Sequence, residues 1–171
     1  MSQRYLIVNV RERQYISPEA FNDGPALMEF GASSFGAMLG LAVLLADGND
    51  RGEGDLHSKH PIVGTWAGAP LVVAGEYADD GRLVPPADVT AYRAAVAGDA
   101  DLLLWLRQRG YQSVLDYVPT LYRVAAATYE DISPQAIHAL CDDAGVRKVL
   151  ISERRIAAAL SWPDGADPFS I

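Results

Sequence analysis

A chain of 171 residues, half of them apolar and 21% charged, has the composition of an ordinary soluble globular domain. At this size folding buries roughly 70% of the unfolded surface, so neither disulfide nor metal is required to hold a core. Twenty-two acids against fourteen bases give a formal charge of −8, which argues against nucleic acid or an anionic membrane as the principal partner. The single cysteine, Cys141, excludes an internal disulfide.

Tyr5-Leu6-Ile7-Val8-Asn9-Val10 is dense in β-branched and aromatic residues and predicts a strand. The charged tetrad Arg11 to Gln14 reads as a turn, and Tyr15-Ile16 as a short returning strand. Ser17-Pro18 fits a helix start, with serine as N-cap and proline at the first helical position, and Asn22-Asp23-Gly24-Pro25 ends that piece. Ala26 to Phe30 is open between strand and helix. An apolar helix over 35–47 follows, apolar on every side, so neighbours should cover most of it. Gly36 and Gly40 lie four apart on it, which places two bare positions on one face where another element approaches closely.

Asp47 to His60 has no apolar period and reads as a long loop. Ile62 to Trp66 and Leu71 to Tyr77, across Ala67-Gly68-Ala69-Pro70, predict an antiparallel hairpin. From there the chain turns helical. Ala87 to Ala97 forms one helix, with Asp88 as cap, and Ala100 to Arg109 a second that stops at Gly110. Tyr111 to Tyr129 is helical but interrupted at Pro119, and Ser133-Pro134 opens a helix through Cys141. A strand Lys148 to Ile151, a helix Glu153 to Leu160 and a loose tail over 162–171 complete the reading. Strands around one apolar helix come first and helices afterwards, which predicts a single α+β domain: a small antiparallel sheet around the buried helix 35–47, then a mainly helical half. The longest apolar run, twelve residues from Phe35, falls short of the ~20 that span a bilayer, and no secretory signal opens the chain. A cytoplasmic location is the expectation.

Two segments could carry chemistry. The 47–60 loop offers carboxylates at Asp47, Asp50, Glu53 and Asp55, then imidazoles at His57 and His60. Hard oxygens at short spacing suit Ca²⁺ or Mg²⁺, and histidine shifts the preference toward Mn²⁺, Fe²⁺ or Zn²⁺. Asp47, Asp55, His57 and His60 are therefore the candidate ligands of a divalent metal. An EF-hand is excluded, because Arg51 and Ser58 occupy ligand positions of that pattern. The bland alternative is a solvated acidic loop; a third reading has it bind a basic partner or close as a lid on its glycines.

The second segment is Glu29 to Gly36 before the apolar helix. If Ala26 to Phe30 is a strand, Gly31, Ser33, Ser34 and Gly36 lie at a helix N-terminus that could receive an anionic ligand. The spacing loosely resembles the acid-then-glycine loop of nucleoside-binding α/β folds such as adenosylmethionine-dependent methyltransferases, although Ser33 stands at their central glycine. Plain capping by Ser33 or Ser34 is the competing reading. Cys141 has His138 three residues before it, but Asp142 and Asp143 disfavour a thiolate, which points to a buried inert thiol. Trp66, Trp105, Trp162 and several tyrosines read as core with some interface anchors, and 169–171 as a terminal docking peptide or a frayed end. Arg147 to Arg155 is a basic island of net +3.

With no catalytic signature, the sequence points to a non-catalytic binding, regulatory or assembly module acting through a protein partner or self-association. The alternative is a metal- or small-ligand-dependent enzyme whose site combines the Asp47–His60 loop with the Gly31–Gly36 turn.

Overall fold

The computed structural model of the protein describes residues 2–154 and residue 156. The strand β1 (Tyr5–Asn9) turns through residues 10–13 into β2 (Gln14–Ile16), as the sequence predicts. A 3-10 turn, Pro18–Phe21, starts with proline in its first positions and stops at Asn22 in the left-handed region. Two helices follow, α1 (Leu27–Gly31) and α2 (Ala37–Leu45). After the long loop come β3 (Leu71–Gly75), α3 (Pro86–Ala95) and α4 (Ala100–Gln108), the last capped by the Asp99 carboxylate on Leu102 N–H. Pro119 separates the 3-10 turn Val114–Asp116 from α5 (Leu121–Thr128). Then β4 (Glu130–Asp131), α6 (Ser133–Cys141) and α7 (Ala144–Ser152) complete the described chain.

The four strands lie in the order β3-β1-β2-β4. β1 pairs antiparallel with both β2 and β3, whereas β2 and β4 run parallel, so the sheet is mixed. β1 is central, and its pleat sends alternate side chains to opposite faces. Ile7 enters a core with Ile16, Phe21, Phe30, Leu44, Trp66 and Leu140, covered by α2, α6 and α7. Leu6 and Val8 enter another, with Tyr92, Leu106, Tyr117 and Val124 from the α3–α5 segment. The fold is α+β, with helices on both faces of a small sheet.

Several expectations change. The predicted hairpin does not form: residues 61–68 are consecutive turns, and β3 pairs with β1 instead. The physical reason lies at the end of α2, whose last carbonyls need donors. Gly64 N–H bonds Val43 O at 3.0 Å and Trp66 N–H bonds Leu44 O at 2.8 Å. Gly64 sits at φ +74°, where a Cβ would meet Ala46 O at 2.6 Å, so only glycine fits there. Trp66 is fully buried, its indole N–H donating to Gln14 Oε1 at 2.9 Å.

Lys148 to Ile151 belongs to α7 and not to a strand. Asp143 nucleates that helix by accepting from Gly145 and Val146 N–H, which outweighs the β preference of Val149 and Ile151. Asp88 is not the cap of α3: it lies in the first turn, buried, and accepts from Arg13 Nε at 2.7 Å and Tyr129 Oη at 2.6 Å. The helix expected over 153–160 lies mostly outside the described residues, as do Arg155, Trp162, the 162–171 tail and the 169–171 end. No helix among the described residues is long and apolar enough to cross a membrane.

Candidate functional site

The Gly31–Gly36 turn is built differently from a nucleotide loop. Residues 27–31 are helical, so no strand feeds the turn, and α2 starts at the N-cap Gly36. Neither Ser33 nor Ser34 caps it. The orphan N–H of Ala37 donates instead to Asp23 Oδ2 at 2.7 Å, fourteen residues back in the chain. A Cβ on Gly36 would collide with that carboxylate, and one on Gly40 would lie 2.6 Å from the Phe21 ring. The expected close approach at both glycines is thus present, and its partners are Asp23 and Phe21.

Asp23 pairs with Arg154, which follows α7. The same guanidinium donates to Phe21 O, Ser33 Oγ and Ser34 O at 3.0, 3.0 and 2.8 Å. The helix N-terminus therefore already holds an anion, the protein's own carboxylate. Of the four predicted ligand-binding residues, Ser33 holds Arg154 and Gly36 makes room for Asp23. Ser34 gives its carbonyl to the same arginine, and no atom lies within 4 Å of a Cβ built on Gly31.

The 47–60 loop is irregular, as expected, but firmly stitched. The Asn49 amide accepts from Leu56 N–H at 3.1 Å and donates to Leu56 O at 2.7 Å, closing a ring over 49–56. Asp55 Oδ2 accepts from the N–H groups of Arg51 and Gly52, at 2.8 and 2.9 Å. At the far end, His57 N–H donates to Asp143 Oδ2 and Ser58 Oγ to Asp142 Oδ2, both at 3.1 Å, anchoring the loop to the start of α7.

These bonds assign the predicted metal ligands other work. His57 Nδ1 meets Asp50 Oδ1 at 3.0 Å, and His60 Nδ1 accepts from Ile62 N–H at 3.1 Å, which occupies its lone pair. Asp47 is exposed. Among the described residues no group of three or more His, Cys, Asp or Glu is placed to hold a metal ion. Asp47, Asp55, His57 and His60 therefore do not converge on a common centre.

What the two segments do share is a cleft of about 330 Å³ between α2, the 49–56 ring and the start of α7. Phe35, Leu39, Val43, Leu56 and Val146 give it apolar walls, and Asp55 and Asp143 give it two carboxylates. Phe35 keeps a left-handed backbone, φ +56°, with 41% of its surface exposed. A bulky residue in that region is strained, and such strain gathers at working surfaces.

The Asp55 carboxyl is held below the ordinary carboxylate range by the N–H groups of Arg51 and Gly52. Asp143 is lowered likewise, first by Val146 N–H and then by His57 N–H. Both are ionised at neutral pH. Cys141 is buried as expected, and burial pushes its thiol up to about 11.

No known protein family, curated protein or solved structure matches this chain. The site must be read from its own chemistry.

Sequence reasoning missed Asp23, Arg154 and Asp143 as site builders. Asp143 carried a usable signal, since an aspartate before Ala144-Gly145-Val146 is an N-cap candidate. Asp23 carried none, because its partner lies 131 residues away.

Proposed function

We propose that this protein is a binding module whose α2 cleft receives a segment of a partner protein, an apolar side chain flanked by lysine or arginine. The observation that carries the reading is the cleft's composition: apolar walls beside two carboxylates that stay ionised at neutral pH. An apolar anchor would bury itself against Phe35, Leu39 and Val43, and a neighbouring cation would meet Asp55 or Asp143. The same carboxylates repel phosphate-bearing polymers. The surrounding bonds support a preformed receptor more than a moving lid, because the loop is tied to α7 at His57 and Ser58.

A random peptide library displayed on phage and selected on the immobilised protein tests this. Enriched peptides should combine Lys or Arg with a large apolar residue, and their affinity should fall as salt rises. Binding should be lost in Ala42→Lys, which places a long cationic side chain in the cleft from an exposed helical position. Peptides that bind Ala42→Lys as well as the parent protein would refute the site.

A further inference from the structure

A second recess, of about 220 Å³, lies between the turn after β3, α4 and the start of α5. Glu76, Asp80, Trp105, Arg109, Tyr117 and Arg123 line it. The guanidinium carbons of Arg109 and Arg123 each lie 4.2 Å from the centroid of the Trp105 ring. Two cations are thus held by one indole, at a separation no greater than twice that distance. Tyr117 braces the indole edge-on, with ring centroids 5.8 Å apart and planes at 75°.

The ion pair here, Arg123 with Glu76, is loose. The side chains of Arg123 and Glu76 are only 23% and 22% exposed, and their nearest atoms stand 3.9 Å apart, beyond hydrogen-bond reach. Elsewhere in the molecule a comparably shielded cation behaves differently: Arg154 is 15% exposed and donates to four acceptors. Arg109 holds the indole face and ion-pairs with no carboxylate among the described residues. The shielded Arg123 and Glu76, together with the exposed Arg109, thus border an open recess with hydrogen-bonding capacity left over for a ligand.

The lining selects the class of that ligand. Arginine forks match the two oxygens of a carboxylate, and Glu76 and Asp80 match an ammonium. A phosphate dianion would meet both acids, and a simple amine both arginines. A molecule carrying one charge of each sign opposes neither. The volume is below the usual range for drug-sized ligands, which begins at about 300 Å³. We infer that this recess binds a free α-amino acid, its carboxylate on Arg109 and Arg123 and its ammonium on Glu76 and Asp80. The site is separate from the α2 cleft and shares no residue with it.

The test is titration of the ¹⁵N-labelled full chain with glycine, L-alanine and L-serine, following the Trp105 indole N–H assigned by its loss in Trp105→Phe. Acetate, methylammonium and inorganic phosphate serve as single-sign probes. The expected result is a saturable shift with the amino acids at least about tenfold tighter than with any single-sign probe. Arg123→Gln and Glu76→Gln should each weaken binding about tenfold or more. Arg109→Gln, at an exposed position, should do the same with an unchanged spectrum away from Trp105. Phosphate or acetate binding as tightly as the amino acids would overturn the proposal. So would unaltered affinity in Arg109→Gln, or no shift with any amino acid through the millimolar range.

Discussion

Replacing Asp23 probes the junction on which the α2 cleft is mounted. Its side chain is 1% exposed and serves two partners, the Ala37 N–H at the start of α2 and the guanidinium of Arg154. Asp23→Ala removes a helix cap, a loss of about 1 kcal/mol, and leaves a mostly buried cation without its counter-charge, which typically costs about 3–5 kcal/mol. The arginine retains three neutral oxygen acceptors, at Phe21, Ser33 and Ser34, so the total should fall near 3–4 kcal/mol. Asp23→Asn keeps the volume and an acceptor and should cost about half as much. Arg154→Met strands the carboxylate instead and should be at least as damaging as Asp23→Ala. The double variant should cost clearly less than the two singles added, because each single leaves a charge the other removes. Urea unfolding followed by circular dichroism, with unchanged slope, measures all four. A cost under about 1 kcal/mol for Asp23→Ala, or strictly additive singles, would show that the pair does not hold the junction.

Phe35→Asn exchanges a strained aromatic for a residue that tolerates φ +56°; relief of about 1 kcal/mol should roughly cancel the lost packing of a ring that is 41% exposed. Stability by urea unfolding should therefore change by less than about 1 kcal/mol while affinity for cleft-selected peptides falls; a fall in stability beyond about 2 kcal/mol would make Phe35 a core residue. The His57 imidazole, raised by its hydrogen bond to Asp50, should titrate by NMR with a midpoint above 6.5 that drops toward it in Asp50→Asn. The sign follows: this contact supports the fold at pH below 6.5 and is lost as pH rises through the raised midpoint. Cys141, with its thiol near 11, should label with a disulfide reagent at pH 8 at a rate set by opening, so urea should accelerate it strongly; equal rates with and without urea would contradict its burial. Mn²⁺, Zn²⁺ and Ca²⁺ should leave the melting temperature of the chelator-treated protein unchanged, and a metal-specific rise abolished by His57→Ala would restore the loop as a metal site.

What could be read from the sequence follows the range of the interactions involved. β1, the Ser-Pro helix starts and the break at Pro119 depend on neighbours within a few residues, and they appear where the patterns place them, whereas the cap expected at Asp88 does not form. The glycine pair on α2 announced close packing correctly, but nothing local could say that the approaching groups would be Phe21 and Asp23. Ile62 to Trp66 reads as strand because its side chains are β-formers; what decides its conformation is the demand of the α2 carbonyls for N–H donors, a tertiary fact. The loop carboxylates and imidazoles were legible as a cluster in sequence. They disperse in space because each finds a nearer partner: Asp55 two backbone N–H groups, His57 the Asp50 side chain, His60 the Ile62 N–H. Arg109 falls four residues after Trp105 on one helix face, so half of the cation–indole cluster could have been found by spacing. Arg123 arrives from another helix and could not.

The helix that looked fully buried makes the strongest argument for a partner. Being apolar on every side, α2 carries no sequence mark of which face meets solvent. In the structure two stripes separate. Gly36, Gly40 and Leu44 lie four apart and face Asp23, Phe21 and the core. Leu39, Ala42 and Val43 lie on another face, and with Phe35 before the helix and Ala46 at its end they line the cleft. Leu39 and Val43 also pack into the core, but at the exposed Phe35 and Ala42 a helix that only had to close this core could carry polar residues at little cost to packing. It carries none, while the loop crossing it places ionised carboxylates beside the apolar surface. The overall charge of −8 thus acquires a local meaning, because part of it borders an apolar surface with room for a partner's side chain. That combination supports recognition of a cationic, apolar-anchored segment better than it supports folding alone.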